Sequence, residues 1–347
     1  TVLLMVLVGA VFVAGPAGLL AKLTPESLDL SFWATVVFVY YVLATLLPID
    51  KIIGKIYPIF AIALIFMAAG ILFMIFWHHP ALPELTDGIA NTHPDGLPIF
   101  PMMFISIACG AISGFHATQS PLMARCMTNE KYGRPVFYGA MITEGIVALI
   151  WAAAATYFFH TEEGSALFAA GSGNDNAAVI VDSITKEWLG VVGGFLAILG
   201  VIAAPITSGD TAFRSARLIV ADFLRVDQKP ILKRLMISVP LFVAGYIILH
   251  ANFSVLWRYF AWCNQTLAVF TLWALTVYLT QKRKPYVITL IPALFMTAVC
   301  STYILIAREG LHLPQELAYW LGGAVTLFIF VLFLVWRNKY LRRNPTI

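Results

Sequence analysis

Ile99-Phe-Pro-Met-Met-Phe-Ile-Ser-Ile-Ala-Cys-Gly-Ala-Ile-Ser-Gly-Phe-His-Ala-Thr-Gln-Ser-Pro-Leu-Met123 carries no Lys, Arg, Asp or Glu. About twenty mostly apolar residues are what a helix needs to cross the hydrocarbon core of a bilayer. The stretch therefore reads as a membrane span. Its second half is poorly suited to an unbroken helix, because Gly110 and Gly114 lack a Cβ and Pro121 lacks an N–H and clashes with the preceding turn. Backbone groups freed inside a membrane must face protein or a wet cavity, since lipid cannot satisfy them. Both the fold and the candidate site follow from this segment.

Working outward, ten segments of this kind are found, near 1–20, 31–49, 57–77, 99–123, 136–160, 190–208, 233–250, 254–280, 286–306 and 316–336. The expected fold is all-α and polytopic, with about ten transmembrane helices, because an open sheet would leave unpaired edges in lipid. Composition agrees: 60% of the 347 residues are hydrophobic and 12% are charged. A soluble domain carries about a quarter charged residues. A net charge of +4 spread over such a chain gives no nucleic-acid footprint. The four cysteines, Cys109, Cys126, Cys263 and Cys300, lie in or beside apolar segments without metal or disulfide spacing.

Basic residues set the direction of the spans. Lys51 and Lys55, the Arg125–Arg134 loop, the Arg214–Arg234 loop, Lys282 to Lys284 and the tail from Arg337 to Arg343 hold 18 of the 22 Lys and Arg, all in alternate loops. Positive loops stay cytoplasmic. The first span then runs inside to outside and the C-terminus is cytoplasmic. The opposite loops are acidic, with Glu84, Asp87 and Asp95 in one and Glu162, Glu163, Asp175, Asp182 and Glu187 in the other. Residues 177–188 have apolar positions at helical spacing, as expected of an amphipathic helix at the outer surface or a lid.

Polar groups inside spans mark candidate sites. In span four, Ser113, His116 and Ser120 recur at three- and four-residue spacing with Gln119 beside them, a candidate substrate face that includes Gly114. Half-helix ends at such a break hold anions or cations. At the end of span six, Thr207 and Ser208 offer hydroxyl oxygens to a coupling ion, H⁺ or Na⁺. Asp210 and Arg214, four apart, form a gate-like ion pair. Capping of a cytoplasmic helix by Ser208 or Asp210 is the plainer reading of the same residues. Glu144 lies within span five, where an ionised carboxylate costs on the order of 3 kcal/mol, which makes it a candidate proton carrier. No bound cofactor and no metal site is expected.

Three stretches, Val13-Ala-Gly-Pro-Ala-Gly-Leu-Leu20, Ser113-Gly-Phe-His-Ala-Thr-Gln-Ser-Pro-Leu-Met-Ala-Arg125 and Thr207-Ser-Gly-Asp-Thr-Ala-Phe-Arg-Ser-Ala-Arg217, resemble the carbon starvation protein A (CstA) transporters. The resemblance implies a bacterial inner-membrane protein of the amino acid–polyamine–organocation superfamily, taking up peptides or pyruvate. It further implies a LeuT-like core of two inverted five-helix repeats. On that alignment residues 1–77 are the remainder of the first repeat, 99–280 the second, and 286–347 additional C-terminal helices and tail. The first two core helices, including a broken one that completes the substrate and ion sites, would then lie upstream.

The expected function is cation-coupled secondary transport by alternating access, acting on a peptide or small carboxylate. The partners are substrate and lipid bilayer, with no nucleic acid and an open oligomeric state. The alternatives are a non-transporting membrane sensor and an intramembrane serine hydrolase built on Ser113 and His116. The latter is disfavoured because Ala111 stands where such enzymes carry glycine.

Overall fold

The computed structural model describes residues 1–46, 50–79, 82, 91, 96–161, 164, 166, 177–251 and 253–344. The acidic positions Glu84, Asp87, Asp95, Glu162, Glu163 and Asp175 lie outside the described residues. Among the described residues twelve α-helices follow in order: α1 (Val2–Leu23), α2 (Leu30–Leu46), α3 (Asp50–His78), α4 (Ile99–Ile107), α5 (Phe115–Cys126), α6 (Ala140–Phe158), α7 (Ala177–Ala197), α8 (Ala204–Leu224), α9 (Ile231–Leu249), α10 (Phe253–Gln281), α11 (Val287–Ile306) and α12 (Gln315–Arg343). The protein is an all-α polytopic membrane protein. Among the described residues, eight helical segments are long and apolar enough to cross a membrane. The expected second span is the shorter α2, of 17 residues. The expected sixth is divided by backbone irregularities described below.

The described residues form two compact units, Thr1–Glu84 with Tyr138–Phe260 and Leu85–Phe137 with Ala261–Ile347. In the first, α1, α2, α8 and α9 pack around buried Tyr41, Phe213 and Phe242. The rings of Phe213 and Phe242 lie 4.8 Å apart. Phe213 fits because its neighbours are glycines: a Cβ on Gly9 of α1 would run into its ring, and one on Gly245 of α9 would lie 2.8 Å from it. Small residues allow such close helix approach in membranes, where apolar burial alone drives no association. A second cluster of the same unit joins Ile71 of α3, Phe158 of α6 and Ile184 and Trp188 of α7.

Helix α7 begins as the expected amphipathic segment, with a Lys186–Asp182 ion pair of 2.7 Å one turn apart. At Gly190 the backbone turns to φ +58°, a left-handed conformation that glycine adopts without steric cost. The amphipathic segment thus ends where the apolar one begins. A π-helical turn, Ile198–Ala203, then links α7 to α8.

In the second unit α4, α10 and α11 share a core of Ile105, Met296, Val299 and Tyr303. Polar side chains stitch these helices together. The Trp262 indole donates to the Cys300 carbonyl at 3.1 Å and that of Trp273 to Thr297 Oγ1 at 3.0 Å. The Tyr319 hydroxyl of α12 donates to the Phe100 carbonyl at 2.8 Å.

Candidate functional site

Span four is broken. Helix α4 gives way to a 3₁₀ turn, Ala108–Gly110, and α5 starts only at Phe115. Residues 111–114 are outside any helix. The break falls at the two glycines, while Pro121 sits inside α5. Gly114 keeps a right-handed conformation, so flexibility is not what the position requires. Closeness is: a Cβ there would meet the Asn264 carbonyl oxygen and lie 2.8 Å from Leu267 Cβ.

Two buried side chains of α10, Asn264 and Gln265, satisfy the freed backbone. Asn264 Oδ1 accepts from the Phe115 N–H at 2.9 Å and the Ser113 hydroxyl at 3.2 Å. With its amide oriented to satisfy both ends, Gln265 donates to the Ile112 carbonyl at 2.7 Å and accepts from the Cys109 N–H at 3.0 Å. The sequence reading missed both residues. The adjacent polar pair within Cys263-Asn-Gln-Thr266 of an apolar span was the available signal.

The residues expected to form one face divide. Ser113 lies in the break and is engaged by Asn264, so helical spacing does not carry it onto the face of His116 and Ser120. His116 and Ser120 stand one turn apart on α5, both half-buried. His116 Nδ1 contacts the Ser113 carbonyl at 3.0 Å. Gln119 buries its amide nitrogen without a hydrogen-bond partner among the described residues.

The remaining candidates belong to the first unit. Helix α8 runs without interruption through Thr207, Ser208, Asp210 and Arg214. The chain therefore does not begin a capped helix at Ser208 or Asp210, because the irregular turn lies earlier, at 198–203. Asp210 is 1% exposed and pairs with Arg214 at 3.2 Å, and Arg214 also reaches the Ala44 carbonyl at 3.4 Å. Tyr41, fully buried against Gly209, donates to the Phe12 carbonyl at 2.9 Å. Ser208 opens into a cavity of about 310 Å³ lined also by Phe12, Met67, Trp151 and Gly200. Thr207 accepts the Thr211 hydroxyl on its carbonyl at 2.9 Å. Glu144 sits half-buried on α6, between exposed Ile142 and Ile146.

A polytopic helical membrane protein with one span broken and re-satisfied by polar side chains is the class that these features define. The family described as carbon starvation protein CstA matches residues 1–187 and 154–303, and the chain belongs to that family. An "Uncharacterized membrane protein" of Haemophilus influenzae is 37% identical over 46% of this chain and 57% of its own length. The "Peptide transporter CstA" of Bacillus subtilis is 26% identical over 68% of the chain and 47% of its own length. The "Pyruvate/proton symporter BtsT" of Escherichia coli is 41% identical over 22% of the chain and 11% of its own length. The chain thus spans about half the length of the longer relatives it aligns with most extensively. No solved structure matches it.

Proposed function

We propose that this chain is part of a bacterial inner-membrane secondary transporter that takes up a peptide or a small carboxylate such as pyruvate. The observation that carries the reading is the break of span four at Gly110–Gly114, with the unpartnered Gln119 amide one turn into α5. It is joined by the transporter names of the family relatives. Broken helices within a membrane belong beside a cavity or a bound group. Gln119, His116 and Ser120 contact substrate, while Ser113 and Gly114 hold the break in place. Thr207 and Ser208 take part in binding the coupling ion, H⁺ or Na⁺, with the Asp210–Arg214 pair acting as a gate beneath them. Glu144 carries the proton if the coupling ion is H⁺. The repeat assignment of 1–77, 99–280 and 286–347, with a cytoplasmic C-terminus, belongs to the same proposal. The Ser113 hydroxyl engages Asn264 and the His116 ring contacts a carbonyl, which favours transport over hydrolysis.

Uptake by the intact protein in proteoliposomes, with proton and sodium gradients imposed separately, tests the proposal. Accumulation of one labelled substrate class against its gradient is expected, with Gln119→Leu lowering it at least about tenfold, the effect of one hydrogen bond to a charged group. Failure of both gradients to drive uptake of any candidate would leave a sensor role as the better reading. Sodium-driven uptake that Glu144→Gln leaves unchanged removes the proton assignment. Unaltered ion dependence in Thr207→Ala/Ser208→Ala places the ion elsewhere.

A further inference from the structure

Within the second unit, α10, α11 and α12 enclose an apolar groove of about 540 Å³. Its walls include Trp262, Trp273, Ser301, Val325, Phe333 and Trp336. The lining residues of α10 extend from Trp262 to Val277, a rise of roughly 20 Å at 1.5 Å per residue. That length suits an extended acyl chain better than a compact solute.

One end of the groove is strongly basic. Trp336, its last lining residue on α12, is followed by Arg337, Lys339, Arg342 and Arg343, and α10 is followed by Lys282, Arg283 and Lys284. Two contacts bring these runs together: Arg283 donates to the Asn344 carbonyl at 2.7 Å, and the Arg337 guanidinium lies 5.3 Å from the centre of the Tyr286 ring. Arg337 Nε is shielded from solvent with no hydrogen-bond partner among the described residues. The acidic residues of 261–347, Glu309 and Glu316, stand in and after the loop at the opposite end of α11 and α12. An apolar slot with a cationic mouth matches a ligand with an apolar tail and an anionic head.

We infer that the groove binds an anionic glycerophospholipid, an acyl chain lying along Trp262, Trp273 and Trp336 and the phosphate held by Arg337 and the Lys282–Lys284 run. Clustered basic residues at a membrane surface attract anionic lipid headgroups. The inference does not depend on the transport reading. Apolar contact alone would hold any lipid there, so charge selectivity is the property that defines the site.

The test is tryptophan quenching of the full chain in phosphatidylcholine nanodiscs containing equal fractions of either acyl-brominated phosphatidylglycerol or acyl-brominated phosphatidylcholine. Quenching roughly fivefold steeper with the anionic lipid is expected, the effect of one basic residue engaged. The preference should fall in Arg337→Gln combined with Lys282→Gln and Lys284→Gln, and in groove-filling Val325→Phe. It should also fall for the unaltered protein at molar salt, where screening shortens to about 3 Å; this arm needs no variant. Equal quenching by the two lipids overturns the inference. So does a preference that survives both the charge variant and high salt, or no quenching of the groove tryptophans, which would show that a protein segment covers them.

Discussion

Asn264 holds the break in span four by taking the Phe115 N–H and the Ser113 hydroxyl on a single oxygen. Asn264→Leu removes the acceptor of both half-buried donors and leaves the Phe115 N–H only a longer contact of 3.3 Å to Ser113 Oγ. Unsatisfied buried donors cost about 1–3 kcal/mol each in soluble proteins, and interhelical hydrogen bonds in membranes average about 0.6 kcal/mol. A loss of roughly 1 kcal/mol is expected, read as a lower thermal midpoint in detergent, whereas exchange of the exposed Ile146 for leucine leaves the midpoint unchanged. A charge pair should matter more. Arg214→Ala removes the ion-pair partner 3.2 Å from Asp210, which is 1% exposed, and breaking a buried pair costs about 3 kcal/mol or more. Adding Asp210→Asn should restore part of that loss; a double variant less stable than Arg214→Ala would show that the pair is not what Arg214 supports. The spacing of Asp210 and Arg214 revealed this pair in the sequence because both partners lie on one helix. Asn264 and Ser113 are 151 positions apart, and no local pattern says which polar residue of one span meets which break in another.

At the scale of elements, the apolar runs predicted the helices well because about twenty residues without charge admit one structure in lipid. The irregular joints were harder to read. Gly190 ends the amphipathic part of α7, and its left-handed backbone is consistent with glycine, yet most described glycines, Gly9, Gly70 and Gly245 among them, stand inside regular helix. The π-helical turn at Ile198–Ala203 has an unremarkable apolar sequence, so it owes its shape to packing. Likewise the roles of Gly9 and Gly245 emerge only when α1, α8 and α9 are assembled around Phe213. Valine at either position forces that ring or its helix aside. Overpacking of this kind costs about 1–3 kcal/mol, and Phe213→Leu should relieve part of it. The check is the recovery of monodisperse protein and its midpoint across the four variants; a fully tolerated Gly9→Val would mean that α1 and α8 separate easily.

Across the whole molecule, the distribution of charge supplies information that no single helix contains. Eighteen of the 22 basic residues fall in alternate loops, on the helix ends that flank them and in the tail, and the last of them, Arg337 to Arg343, lie on the end of α12. Because basic residues near span ends are retained in the cytoplasm, one orientation satisfies every loop at once. A fluorescent-protein fusion after residue 347 should therefore fluoresce in cells, and an alkaline phosphatase fusion at the same place should be inactive. Fusing phosphatase after Asn91, in the acidic loop between α3 and α4, should give the reverse. The two sites are separated by seven predicted spans, an odd number, so they must report opposite sides if span four crosses fully despite its break. Matching signals at both would mean that an even number of segments crosses, so that the broken span four or the divided span six does not; a further fusion after Asn129 tells the two apart, and if span four fails to cross, the proposed substrate face on His116 and Gln119 loses its place at the middle of the membrane.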